Sequence, residues 1–321
     1  MRSLQRAALL ATVFMAPVLR ADVTVRYKND FQSASFLPAG AMPSKSSVPQ
    51  LSVMRLKGSK AYADLGAFSS VIDVGSGEIT LIDADHKKFA KAPFKDYENR
   101  VEEALAAIKP VLSPEAQKTL DSMKSSVALK KTGRTDVIQG VQAEETEMTV
   151  LIDMDLPEGL PQAGPMMRVV MQFWGARPEE APRVPAIRQL AGFSAYNSAV
   201  MNPFEMIEKT LAHVPGMSQD FAPKLRELAS NSPLLLKSHV ALFMPMMAQL
   251  AQQMEKQGQP LPAGFDPSAP LIELNTEIVE MSVDAIQDSV FDVPADFEIA
   301  SFDEILKTVT APAAAVGNAK K

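Results

Sequence analysis

The sequence predicts an α+β protein built on an antiparallel sheet, and three observations carry that expectation. Apolar and polar residues alternate with period two in many runs. In "DVTVRYKNDF", Val23, Val25 and Tyr27 share one face while Thr24, Arg26 and Lys28 share the other. Four short extended runs follow, "QLSVMRLKG", "KAYADLG", "SSVIDVG" and "EITLIDADHKKFAKA", each bounded by glycine or charge, as a meander requires. Between later runs the period lengthens to that of a helix, as in "DYENRVEEALAAIK", where Val101, Leu105 and Ile108 form one stripe.

The N-terminus bears on the compartment. Two arginines lie within residues 1–6, followed by "AALLATVFMAPVL", thirteen residues that are too few to span a bilayer as a helix. A basic start, a short apolar run and a small residue fit a secretory signal peptide spanning residues 1–21, cleaved after Ala21. The expected compartment is therefore periplasmic or extracellular, with no transmembrane anchor in the mature chain. Cysteine is absent from all 321 residues, so the fold rests on a buried core rather than on disulfides. Removing the segment's three arginines from 32 basic residues leaves 29 against 38 acidic ones, a net charge of −9. That balance argues against nucleic acid or an anionic bilayer surface as partner.

The remaining elements follow in order. A Pro/Ser loop occupies 38–49. After Pro110, "SPE" at Ser113–Glu115 opens a second helix with a cap and a first-turn proline. Strands resume at "SVALKKTGRTDVIQG", at "VQAEETEMTVLIDMD" with Met148, Val150, Ile152 and Met154 alternating, and at "MMRVVMQFWGA". Residues 177–232 read as mostly helical, "LLLKSHVALFM" as a strand, and "PMMAQLAQQMEKQ" as a Met-rich helix. "LIELNTEIVEMSVDAI" and "DSVFDVPADFEIA" supply the last strands, "SFDEILKTV" a closing helix, and residues 310–321 a disordered tail. The whole of 22–309 reads as one domain, with helical insertions at about 94–126, 177–232 and 245–269.

The motifs that suggest chemistry resolve into simpler structures. "VGSGE" at Val74–Glu78 precedes an alternating run rather than a helix, and no lysine follows in Walker spacing, so it reads as a hairpin turn with glycines at positive φ. Asp83, Asp85 and His86 read as a solvated strand end, because a zinc site needs three or four converging ligands and His213 and His239 share no such spacing. Met244, Met246, Met247 and Met254 are soft donors suited to copper, yet Leu242, Met246, Leu250 and Met254 recur at helical spacing as an apolar face. "GFSAY" around Ser194 fails the nucleophile-elbow pattern, and Glu144, Glu145 and Glu147 read as the wet face of a strand. No catalytic constellation remains, so the expectation is a non-enzymatic protein without cofactor or metal.

Several stretches together resemble one known architecture. The extended N-terminal strand runs into "MRLKGSKAYADLGAFSSVIDVGSGEITLIDADHKKFAKAP"; "VIQGVQAEETEMTVLID" resembles a strand pair around a glycine; "MQFWGARPEEAP" resembles a strand ending in tryptophan before a helical section; and "SVFDVPADFEIASFDEI" resembles a "VPADY"-type ending. The chain looks like the exported bacterial proteins grouped near the outer-membrane lipoprotein carriers (LolA/LolB-like). That resemblance implies a strongly curved antiparallel β-sheet, an incomplete barrel, with helices covering the concave side. It also implies an apolar cavity for an acyl chain or a lipoprotein segment, making lipid or lipoprotein the expected partner. The expected lining residues are Met167, Val169, Met171, Phe173, Phe243, Met246, Met247 and Leu250. The alternatives are an envelope structural or interaction protein without a small ligand, and a copper binder. N-terminal sequencing of protein exported by a bacterial host is expected to begin at Asp22, and a product retaining Met1 would remove the export reading.

Overall fold

The computed structural model describes residues 22–34, 49–64, 66, 68–97, 99–100, 103, 122–153, 165–200, 221–231, 234–258, 266 and 268–305. Among these, twelve strands form one open sheet: β1 (Val23–Ser33), β2 (Leu51–Lys57), β3 (Lys60–Asp64), β4 (Ser69–Asp73), β5 (Glu78–Asp83), β6 (Lys88–Pro93), β7 (Lys124–Ile138), β8 (Val141–Asp153), β9 (Met167–Ala176), β10 (Leu235–Phe243), β11 (Ile272–Ser282) and β12 (Glu298–Ile299). Their lateral order is β12-β6-β5-β4-β3-β2-β1-β11-β10-β9-β8-β7. Every pairing is antiparallel except the two-residue contact of β12 with β6. Three of the described helices are α1 (Pro185–Val200), α2 (Phe221–Asn231) and α3 (Pro245–Lys256), which neighbour β1, β7 and β9 respectively, and residues 94–97 and 302–305 are also helical.

The meander β2–β6 is the one expected, and its turns explain themselves locally. Lys57 pairs with Lys60 across a two-residue turn in which Gly58 takes φ +59°. In the "GSG" turn only Gly77 has positive φ. Gly75 serves close approach instead, since a Cβ there would lie 2.9 Å from the Ser59 hydroxyl. Asp73 organises this corner, accepting hydrogen bonds from Ser59 Oγ at 2.8 Å and from the Gly75 N–H at 2.9 Å. Desolvation pushes its carboxyl up, but these bonds outweigh it and hold the group below the usual range. The β7–β8 hairpin closes on Gln139 and Gly140, both at positive φ, as a type I′ turn demands.

Three expectations need correction. Asp83 is not part of a solvated strand end. It is buried, and its carboxylate accepts from the His86 backbone N–H at 3.1 Å and lies 2.8 Å from His86 Nδ1, because residues 84–87 turn rather than extend. The stretch "DSVFDVPADFEIA" yields a 3₁₀ turn at Asp288–Phe291 and only the short β12. The first helical insertion ends earlier than 126, since β7 starts at Lys124. The signal segment, the second helix after Ser113, Met154, the "NPFEMIEKTLAHV" helix and the C-terminal tail lie outside the described residues.

The sheet is packed unevenly. β5 is buried at all positions but its first: Ile79 and Leu81 pack with Phe94, Phe302 and Ile305, while Ile82 joins Val71, Ile286 and Phe291 in a second cluster. A larger cluster joins Val23, Val25, Leu56, Val141, Ala143, Ala176, Leu236 and Ile278 to Ala186, Ile187 and Leu190 of α1. β8 changes the side it buries: Val141, Ala143 and Glu145 at one end, Met148 and Val150 at the other. With period-two side chains, that switch means opposite faces are covered along one strand.

Tyr27 packs at the rim of the largest cluster, where desolvation pushes its hydroxyl up to about 12. Folding thus favours the neutral phenol. Its contribution of about 3 kcal/mol is complete below the unfolded value near 10 and is lost as pH rises from about 10 to about 12. Urea denaturation across that interval is expected to show falling stability in the parent and a flatter profile in Tyr27→Phe.

Candidate functional site: an apolar sheet face with a polar belt

Directly opposed residues of an antiparallel ladder share a face, so the registers can be followed across the sheet. One row runs Leu129, Met148, Met171, Val240, Leu274, Phe31 over β7, β8, β9, β10, β11 and β1. The next row runs Val127, Val150, Val169, Leu242, Ile272, and beyond it Ile152 stands opposite Met167. All of these are apolar. Met148, Val150 and Phe31 are buried, whereas Met167, Val169, Met171, Val240, Leu242, Ile272 and Leu274 are only half-buried. These three middle strands, β9 to β11, therefore keep an apolar layer that is not fully covered.

A third row on the same face is polar apart from Phe173 at its centre: Lys131, Thr146, Phe173, Ser238, Thr276, Asn29. Asn29 anchors one end. Its Nδ2 donates to the Pro49 carbonyl and to Ser52 Oγ, each at 2.9 Å, and Thr276 Oγ1 donates to its Oδ1 at 3.0 Å. This belt divides the loosely covered apolar rows from the tight cluster around Val23, Val25 and Ile278.

The opposite face carries one polar row beside rows that include Val170, Ala241, Leu151 and Phe243. Lys130, Glu147, Gln172, His239, Asn275 and Asp30 stand in one row across the same six strands. Gln172 Nε2 donates to Glu147 at 3.2 Å, its Oε1 lies 3.1 Å from His239 Nδ1, and His239 Nε2 lies 3.0 Å from Glu273. Both ring nitrogens are thus engaged. Glu273 also lines a cavity of about 210 Å³ at the ends of β1 and β11, with Gln32, Ser33, Asp266 and Pro270. Among the described residues, no group of three or more His, Asp or Glu side chains converges as a metal site.

Of the eight expected lining residues, the structure brings Met167, Val169, Met171 and Phe173 onto one face. Phe243 stands opposite Arg168, on the other face from Val169 and Leu242, with the Arg168 guanidinium 4.6 Å from its ring centre. Met246, Met247 and Leu250 belong to α3, which neighbours β9. Sequence reasoning missed Met148, Val240, Leu242 and Leu274, because membership of a row depends on register between strands far apart in the chain. Compared with known proteins, the chain matches no family model and no curated sequence. Among the described residues, no helix is long and apolar enough to cross a membrane.

One expectation at the border of this site is overturned. Glu145 is not on a wet strand face; it is 1% exposed, paired with Arg134, and its Oε2 has no partner among the described residues. Three residues of β7, Thr132 to Arg134, bulge against it, which aims the arginine inward over the strand. Because Arg134 is 59% exposed, the pair is partly screened, so Arg134→Met is expected to cost about 1–3 kcal/mol by leaving the carboxylate buried alone. Denaturant titration is expected to place Arg134→Met/Glu145→Leu closer to the parent than the single variant.

Proposed function

We propose that the protein is an exported, non-enzymatic binder of acyl chains, and that the chain lies on the apolar rows of β8 to β11. The observation that carries this reading is the half-buried apolar layer on β9 to β11. A structural sheet of this size normally covers its apolar face completely, as β5 does here. Twelve strands each twisted by roughly 20–25° do not remain flat, and open sheets beyond about ten strands curl or split. The reading takes the face with the apolar rows as the hollow side, which is also what the resemblance to lipoprotein carriers implies.

Magnitudes support a single chain running along the strands. From Phe173 to Met167 is six residues, roughly 20 Å at about 3.4 Å each. A carbon zigzag with bonds of about 1.5 Å advances roughly 1.25 Å per carbon, so about sixteen carbons fit that length. Micromolar affinity corresponds to about −8 kcal/mol, or roughly ten methylenes transferred from water. The half-buried Met167 and Met171 suit this role, because unbranched thioether side chains repack around an irregular guest.

Delipidated protein is expected to take up a pyrene-labelled hexadecanoyl probe with micromolar affinity. Met171→Glu, at the centre of the layer, is expected to weaken uptake at least tenfold, while Val279→Glu, exposed and outside the rows, leaves it unchanged. An inert parent protein, or equal uptake by Met171→Glu with its melting temperature preserved, would count against the reading.

A further inference from the structure

The polar belt specifies the head of that ligand. Thr146 and Ser238 flank Phe173 on the same face, both half-buried, and neither hydroxyl has a hydrogen-bond partner among the described residues. The other two polar members, Thr276 and Asn29, are bonded to each other, and Asn29 also holds Pro49 and Ser52. The cation of the row is Lys131, exposed on the edge strand β7.

We propose that the ligand's polar head is uncharged, an acyl ester or amide whose carbonyl accepts a hydrogen bond from Thr146 or Ser238, and not a free carboxylate. This rests on the acyl-chain reading above. Two strand spacings, roughly 10 Å, separate the two hydroxyls, so a single carbonyl bonds only one of them. A hydroxyl has one hydrogen to donate, which suits a neutral carbonyl whose other lone pair faces water. A carboxylate brings about four acceptor sites and a full charge, and its partial burial beside Phe173 costs several kcal/mol without a firmly held cation. An exposed lysine recovers at most about 1 kcal/mol. The apolar rows on one side of the belt and the tightly packed cluster on the other fix the orientation, with the head at Phe173 and the chain toward Met167.

The test uses displacement of the pyrene probe from the delipidated mature chain by 1-monopalmitoylglycerol and by palmitate, which share one chain. The glyceride is expected to bind at least tenfold more tightly. Thr146→Val/Ser238→Ala is expected to weaken the glyceride about fivefold, as one hydrogen bond of about 1 kcal/mol implies, and to leave palmitate within twofold. Thr146→Ser, which keeps the hydroxyl, retains glyceride affinity, and if the double variant unfolds, Thr146→Val and Ser238→Ala are measured singly, one of them carrying the loss. The proposal is overturned by palmitate binding as tightly as the glyceride, by a glyceride affinity indifferent to both substitutions, or by palmitate binding that collapses in Lys131→Met. If the parent binds neither the probe nor either competitor, the acyl-chain reading itself fails, and the head-group assignment falls with it.

Discussion

The sheet is continuous because β1 and β11 pair. These strands are some 250 residues apart in sequence, and their ladder runs from Thr24↔Ser282 to Ser33↔Ile272. On one side β1 continues into the meander of β2 to β6; on the other β11 continues into β10, β9, β8 and β7. Without that ladder there would be two separate sheets. Closing so long a loop is entropically less severe than its length suggests, since the cost grows only with its logarithm. Burial of Phe31 and Ile278 on the shared face and the Asn29–Thr276 hydrogen bond then hold the register.

That register gives each face its chemistry. A slip of one residue would exchange the apolar rows with the Glu147–Gln172–His239–Asn275 row behind them. The two faces are therefore coupled: a polar network that requires paired donors and acceptors behind the sheet makes any other register costly, and so helps keep the apolar rows aligned in front. His239 is better described as part of that lock than as a ligand or a base.

The belt coincides with the places where the strands deviate. Register shifts occur in β7 between Lys131 and Thr135, in β10 between Leu235 and Lys237, and in β1 between Arg26 and Tyr27. Each lies next to the Thr146–Phe173–Ser238–Thr276–Asn29 row, on the side of the tight cluster. Bulges locally bend strands and increase their twist, and these three fall close to the belt. β8 switches its buried side at the same level, from Glu145 to Met148. The tight cluster and the half-covered apolar layer thus lie on either side of this row of register shifts.

How far the sequence alone reaches can be judged strand by strand. Period-two alternation placed the strands of the meander, the β7–β8 hairpin and the stripe Met167, Val169, Met171, Phe173, because which face a residue takes within one strand is a local property. The helical spacing of Met246, Leu250 and Met254 likewise anticipated α3, whereas Leu242, read with them, belongs to β10. Neighbours were not legible: that Met171 stands between Met148 and Val240, that Phe243 turns to Arg168, and that Glu145 lies buried under Arg134 follow from inter-strand register and bulges. Asp83 was misjudged for the same reason, since its burial depends on a turn that brings His86 back onto it. Alternation within a strand is set by backbone geometry alone. Pairing between distant strands is decided only when the whole sheet buries its apolar rows together, and the candidate site is a property of that pairing.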